Sequence, residues 1–350
     1  MRKSNKNNSG LFERIISPEN LFLAWDEFRK GKTRKPDVME FEYKLERNIF
    51  ELAADLKGKF YRHGPYEKFT INDPKRRDVS KATVRDRIVH HAVFKVLTEI
   101  FEPTFIANSF SCRVGKGTHK GFEMLERMIR RESRNYTRSC FVLKCDVRKF
   151  FDSIDHRVLR LILKKRIKDL DLLWLLEEII GSFESGFSKP FYAKGVPIGN
   201  LTSQAFANIY MNELDQFMKQ ELKVKNYARY TDDFVIVSED REYLESLIPQ
   251  IGSFLTEKLE LDLHPGKVFI RKNRQGIDFL GYVSMPHCRL IRDRTRRRIL
   301  RRFEEMRVDY RLGRVTRENM NQSTQSYLGV LSHANAHKLS EEMKNRFFLG

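Results

Sequence analysis

Only four of the 350 residues are cysteine, and Cys112, Cys140, Cys145 and Cys288 form no Cys-x-x-Cys pair and no zinc-ligand spacing. That excludes a disulfide-stapled or zinc-ribbon scaffold and suits reduced thiols, mostly in a core. No run of about 18 apolar residues exists, which excludes a spanning helix. The opening MRKSNKNNSG is basic and polar and lacks an apolar signal core, so secretion is not expected. There is no internal repeat and no low-complexity linker. Negative charge is also in short supply: 47 Asp+Glu face 66 Lys+Arg, a net charge of +19. A surplus this large favours a polyanionic partner, nucleic acid ahead of an anionic membrane. The expectation is a basic cytoplasmic protein that touches nucleic acid. With 41% hydrophobic residues it can build one large or two modest cores.

Apolar residues recur at three- and four-residue steps through residues 11–62, which predicts helices ended by Gly58 and Gly64-Pro65. YEKFTIND (66–73) reads as a short strand before an Asp-Pro turn. The stretch from Arg77 starts polar and becomes a helix from about Asp86, ending at Pro103. A Gly115-Lys116-Gly117 loop leads into a helix that ends near 131. CFVLKCDV (140–147) reads as a strand. A helix follows behind Asp155 as N-cap. KGVPIGNLTSQAFANIYMNELDQFMKQEL (194–222) reads as a glycine-bounded loop running into a long helix, and YARYTDDFVIV (227–237) reads as a hairpin. Then come a helix at 241–259, strands near 267–271 and 277–284, and an Arg-rich helical tail from 290. This alternation predicts an α+β fold, an antiparallel sheet covered on one face by helices.

The hairpin poses the chemical question. Asp232 and Asp233 are adjacent at the mouth of an apolar strand, and CFVLKCDV ends in another acid, Asp146. If the two elements are sheet neighbours, Asp146 and Asp232 can sit side by side at one rim. Like charges held that close repel unless a cation is present. Two Mg²⁺ ions roughly 4 Å apart would neutralise them and clamp the oxygens of a phosphoryl transfer. The plainer reading is a polar turn, where Asp is common.

YTDD resembles the Tyr-x-Asp-Asp signature of reverse transcriptases. LKCDVRKFFDSIDH (143–156) is similar to their first catalytic motif, GVPIGNLTSQAFANIYMNELD (195–215) to their template- and nucleotide-contacting motif, and HPGKVFIRKNRQGIDFLGY (264–282) to the last two palm motifs. RRDVSKATVRDRIVHHAV (76–93) resembles the fingers motif. The five keep the family's order across nearly the whole chain. The resemblance implies a right-hand polymerase: an N-terminal helical extension and start of the fingers (1–65), fingers (66–135), a palm (136–288) including a finger–palm loop (186–215), and a helical thumb (289–350).

It also implies roles. Asp146, Asp232 and Asp233 would bind two Mg²⁺ ions, with Mn²⁺ as a substitute, helped by the Val147 carbonyl. Phe151 matches the steric gate that selects dNTPs, the other reading of Phe150 and Phe151 being core packing. Arg77 and Arg85 match positions that grip the triphosphate, where Arg suits bidentate contact; a solvated arginine is the other reading. Lys267 would protonate departing pyrophosphate or simply bind phosphate. Ile198, Gly199 and Gln204 would line the nucleotide site.

The loop Ile198-Gly199-Asn200-Leu201-Thr202-Ser203-Gln204 departs from the Gln-Gly-x-x-x-Ser-Pro of most prokaryotic relatives. It resembles the reverse transcriptases of diversity-generating retroelements, as does SYLGVLSHANAHKL in the tail. That resemblance implies error-prone copying of a template-repeat RNA, focused on adenines. The partners it implies are template RNA, primer and cDNA, dNTPs, a structured RNA and a small helical accessory variability protein. Isoleucine cannot donate the hydrogen bond that glutamine makes, so a mispair loses less relative to a correct pair. Ile198 packing under the loop is the plain alternative. Thr231 departs from the usual Met or Ala of the signature.

Residues 289–317 hold twelve Arg and four acids, with Ile299, Phe303, Met306 and Tyr310 on one helical face. This predicts a thumb helix with a basic side, Arg296, Arg297 and Arg301 facing a duplex whose grip weakens with salt. Lys116 sits in a loop without the Lys-Ser/Thr ending of a P-loop, read as a template-strand contact. His333 and His337, four apart, lack a third metal ligand. His156 is assigned to a helix cap. The residues after the expected thumb are too few for an RNase H-like or nuclease domain, so none is expected in this sequence. Competing readings are a phage-defence or retron-type reverse transcriptase, and a catalytically idle RNA-binding scaffold.

Overall fold

A computed structural model describes residues 10–73, 75–189 and 192–348. In chain order the helices and strands are α1 (Leu11–Ile16), α2 (Pro18–Arg29), α3 (Pro36–Tyr43), α4 (Leu45–Lys57), β1 (Glu67–Ile71), β2 (Arg77–Lys81), α5 (Val84–Phe101), α6 (Thr118–Glu132), β3 (Phe141–Asp146), α7 (Phe150–Ser153), α8 (His156–Arg166), α9 (Leu170–Gly181), α10 (Leu201–Gln216), β4 (Tyr227–Tyr230), β5 (Asp233–Ser238), α11 (Arg241–Leu259), β6 (Phe269–Lys272), β7 (Ile277–Phe279), β8 (Tyr282–Met285), β9 (Cys288–Ile291), α12 (Asp293–Arg311), α13 (Arg317–Leu331) and α14 (His337–Phe348). Among the described residues no helix is long and apolar enough to cross a membrane.

The chain forms two compact units whose segments interleave. The first takes the described residues through Ala107, then Val147–Lys223 and Gln250–Pro265; the second takes Asn108–Asp146, Val224–Pro249 and the segment from Gly266.

In the first unit α5 is the centre, packed against α2 and α10. Thr83 caps α5 by accepting from the Asp86 amide, and the Asp86 carboxylate accepts from Tyr61 Oη at 2.8 Å and from the Gly64 amide at 3.1 Å. The Asp155 side chain accepts from the amides of Arg157 and Val158, so the expected cap of α8 is present. His156 is the first residue of that helix, buried, with Nε2 on the Gly195 carbonyl. β1 and β2 make a two-stranded antiparallel sheet. Sequence periodicity misses β2 because RDVSK is polar apart from Val79, and the one residue it buries is Ser80.

The second unit holds a four-stranded antiparallel sheet in the order β4-β5-β3-β6 and a three-stranded one in the order β7-β8-β9. Phe122, Leu125, Met128 and Ile129 of α6 pack on Val142, Ala228, Val235 and Val237. The opposite face, with Leu143, Cys145, Phe234 and Ile236, is fully buried too. A strand buried on both faces reads as a nearly continuous apolar run, which β5 shows from Phe234 to Val237 and β3 shows apart from Lys144.

Three expectations change here. The run 277–284 is not one strand but a tight hairpin, turned at Leu280 and Gly281, both with positive φ. Residues 288–291 belong to that sheet, so the thumb-type helix starts at Asp293. Cys140 and Cys145 are buried, but Cys112 is exposed and Cys288 only half-buried; none of the four is disulfide-bonded. The three last helices close over Ile299, Phe303, Leu331, Leu339 and Met343.

Candidate active site

The antiparallel register of β3 and β5 sets Asp146 directly opposite Asp233. Opposed residues point to the same face of a sheet. Asp146, Lys144 and Val142 therefore share a face with Asp233, Val235 and Val237. The acids are the polar end of the row that α6 covers. Asp232 stands in the two-residue turn between β4 and β5, next to Asp233. The rim expected from the sequence is present, with Asp233 rather than Asp232 as the cross-strand partner of Asp146.

Two lysines hold this rim. Lys267 Nζ lies 2.7 Å from Asp146 Oδ1. Lys144 Nζ lies 3.2 Å from Asp233 Oδ2 and donates to the Asp278 carbonyl at 2.9 Å. The Lys144 side chain is only 11% exposed, so this is a largely buried pair. Burial raises the Asp233 carboxyl, Lys144 opposes that, and the Asp232 and Asp146 charges add to it; the result is a value of about 6. Sequence reading passed over Lys144. Its one signal was a lysine inside an otherwise apolar strand, two residues before Asp146, where it needs a buried partner.

The turn itself is strained. Thr231 has φ of 57°, a left-handed conformation that a β-branched residue rarely adopts. Buried Arg229 donates to the Thr231 carbonyl at 2.9 Å and to Ser109 Oγ at 3.1 Å, and Thr231 Oγ1 meets Ser111 Oγ at 2.7 Å. Together these hold the backbone that carries Asp232.

Among the described residues no group of three or more His, Cys, Asp or Glu is placed to hold a metal ion by itself. The donors nevertheless suit Mg²⁺, which takes one or two carboxylates and completes its shell with water and substrate phosphate. Asp233 Oδ1 is buried with no hydrogen-bond partner among the described residues, an acceptor left over for a cation.

The residues expected to meet a nucleotide lie in the other unit. Phe150 is buried and Phe151 half-buried, their rings edge to face at 5.5 Å. Phe150 is thus the packing residue and Phe151 the one still open to a ligand. The loop before α10 is tied to Ser80 of β2 and to Ala82 by one backbone bond and by the Asn200 side chain. Ser80 N donates to the Ile198 carbonyl at 3.0 Å, Asn200 Nδ2 to the Ser80 carbonyl at 2.8 Å, and Ala82 N to Asn200 Oδ1 at 3.3 Å. Asn200, fully engaged and buried, was not singled out from sequence. Gly199 has φ of 114°, and a Cβ there would stand 2.7 Å from Val79 Cγ1. Ile198 and Gln204 are half-buried. Arg77 is exposed on β2, whereas Arg85 is engaged, 2.7 Å from Asp55 and 4.8 Å over the Tyr61 ring. Val147 is buried and bridges to Leu263.

Of the nucleic-acid candidates, Lys116 sits over the Phe110 ring at 5.4 Å. Arg296 is exposed, as are Arg297 and Arg301, which pair with Asp293 and Glu305 on their own helix. Exposed pairs of this kind contribute little, so the arginine face keeps its positive potential. Arg289 is no part of it, being engaged by Glu126. His333 stacks on His119 at 3.6 Å; it stands between α13 and α14, so it does not share a helix with His337 as their spacing predicts.

The chain matches the reverse transcriptase (RNA-dependent DNA polymerase) family over residues 68–284, more than half of its length. It is 27% identical over 293 residues to Protein YkfC of Escherichia coli (strain K12), which covers 73% of each chain. It is 25% identical over 342 residues to the group II intron-encoded protein LtrA of Lactococcus lactis subsp. cremoris, covering 78% of this chain and 56% of that one. Among solved structures it is similar to apo telomerase from Candida tropicalis, truncated from its C-terminal domain, with 11% identity and a TM-score of 0.47 over 71% of this chain and 60% of that one. Antiparallel strands with acids at their rim, backed by helices, and a family match across them define a template-copying polymerase. The chain belongs to the reverse transcriptase family and is an RNA-directed DNA polymerase. The family uses divalent metal ions, an RNA template and nucleotide substrates.

Proposed function

We propose that Asp146, Asp232 and Asp233 carry nucleotidyl transfer in this chain, and that the copying is error-prone, as in a diversity-generating retroelement. The observation behind the first part is the Asp146–Asp233 register with Asp232 in the adjoining turn. A pair of Mg²⁺ ions held there would lower the pKa of the attacking hydroxyl and stabilise charge on the leaving oxygen. Lys267, on Asp146, is positioned to hand over to phosphate or to protonate the leaving group. Lys144 keeps Asp233 partly compensated while the rim is bare. Phe151 is the candidate gate against a ribose 2′-hydroxyl.

The error-prone reading rests on Ile198. Its carbonyl is engaged by Ser80, so the backbone of the loop is fixed and only the side chain is free to differ in chemistry. An aliphatic group there gives no hydrogen bond to reward a correct pair. The accessory variability protein and structured RNA belong to this proposal as well. A second reading follows from the likeness to a group II intron-encoded protein: the same chemistry outside a diversity-generating retroelement, without errors focused on template adenines. Sequencing the cDNA made by the purified chain on a defined RNA separates them. Errors concentrated opposite template adenines support the retroelement reading. Evenly accurate product overturns it and leaves the polymerase.

A further inference from the structure

The first unit carries a basic, aromatic pocket that the polymerase reading does not use. It has a volume of about 420 Å³ and lies among α7, α8, the paired segments 185–189 and 192–194, and the segment after α11. Arg148, Lys149, Arg157, Lys189 and Lys194 line it, against two acids, Glu260 and Asp262. Two rings open onto it, Phe187 and Tyr192, exposed by 39% and 46%. None of Arg77, Arg85, Phe151, Ile198, Gly199 and Gln204 is among its lining residues.

The pocket is built, not incidental. Lys149 Nζ stands 4.5 Å over the Phe187 ring and the Arg157 guanidinium 4.3 Å over Tyr192. The paired segments that carry the two rings are joined by the Lys189–Tyr192 bridge and by the Ser185 amide on the Lys194 carbonyl at 2.8 Å. They are anchored to the helices below. Ser185 Oγ donates to the Asp152 carbonyl at 2.7 Å, and His156 N to the Ala193 carbonyl at 3.2 Å. The Arg148 amide donates to the Asp262 carbonyl at 2.8 Å and fixes the opposite wall. Arg157 is oriented by Asp155, the buried cap of α8.

We infer that this pocket binds a nucleotide unit, the base on Phe187 or Tyr192 and the phosphate on the surrounding lysines and arginines. Aromatic rings beside cations read a base by its π-face and a backbone by its charge, without sequence preference. A cavity at the lower end of the usual range for small-molecule sites, about 300–1,000 Å³, suits one such unit. The unit comes either as a free nucleoside triphosphate or as one residue of a single-stranded RNA.

Photocrosslinking of the full chain tests this. Two probes are used separately, 8-azido-ATP and a single-stranded RNA carrying 4-thiouridine, with adducts mapped by mass spectrometry. The expected result is an adduct at Phe187, Lys189, Tyr192 or Lys194 with at least one probe. Its yield should fall about fivefold or more in a Phe187→Ala/Tyr192→Ala variant, the scale of one lost base–ring stack. Labelling by ATP alone assigns a free nucleotide, and labelling by RNA alone assigns a strand. Absence of adducts at these positions with both probes, or an unchanged yield in the double variant, overturns the assignment. The wild-type adduct map does not depend on how the variant folds.

Discussion

At the rim of β3 and β5, three carboxylates stand beside two lysines, and one of those carboxylates is desolvated to a value of about 6. In the loop before α10 and the first turn of that helix, no charged side chain occurs from Val196 to Gln204, and three hydrogen bonds, two with Ser80 of β2 and one with Ala82 just past it, fix the loop. The first region stores electrostatic strain that a bound cation would relieve. The second stores conformational constraint and has no charge to relieve. Removing a charge from the rim should therefore leave the fold intact or firmer and end the chemistry. Disturbing the loop should loosen the fold before it touches the chemistry.

The largest effect is expected at the rim. Asp146→Asn should lower primer extension about a thousandfold or more, since a metal-clamped transition state draws several kcal/mol from its ligands. Thermal melting should stay unchanged or rise. A lost fold in that variant would break the contrast between the two regions.

Next comes the loop. Gly199→Ala must move Val79 or abandon a φ of 114°, a change expected to cost about 1–3 kcal/mol in denaturant unfolding. Asn200→Ala leaves the Ser80 carbonyl and the Ala82 amide without their partner, at a similar cost. Unchanged stability in both variants would mean that the β2 contacts are not what fixes the loop.

A smaller effect sharpens the rim. The folded-state pKa of Asp233 is raised, from about 3.8 to about 6. The folded state then binds more protons than the unfolded one across that window, so stability falls as pH rises from about 4 to 6 and levels off above. Melting curves in EDTA should show this fall in the wild type and lose most of it in Asp233→Asn. An identical slope in the variant would assign the titration elsewhere.

Much of the fold was legible in the sequence because it is written in local periodicity. The cap at Asp155, the helix after the Gly-Lys-Gly loop, and β3 and β5 all follow from spacing. What escaped depends on partners distant in sequence. β2 is a polar edge strand whose mate is β1. Lys144 looks misplaced in an apolar run until Asp233 appears opposite its neighbour, and Asn200 looks like a loop residue until Ser80 meets it. The hairpin at Leu280-Gly281 was hidden because Ile277–Met285 is apolar enough to pass for one strand, with Gly281 the only warning. The acids of the site were recognisable early, since a charge at a strand mouth needs a reason even before its partner is known.

The smallest effect is in fidelity. Ile198→Gln should lower the error frequency opposite template adenines a few-fold and leave stability within about 0.5 kcal/mol. Sequenced cDNA from the two proteins measures it. An unchanged error spectrum would make Ile198 a packing residue only.

The most direct test of the central claim is primer extension on an RNA template with Mg²⁺ and dNTPs, run side by side with wild-type protein and Asp232→Ala. The account predicts DNA product from the first and none from the second, with matching circular dichroism. DNA synthesis retained by Asp232→Ala would contradict it.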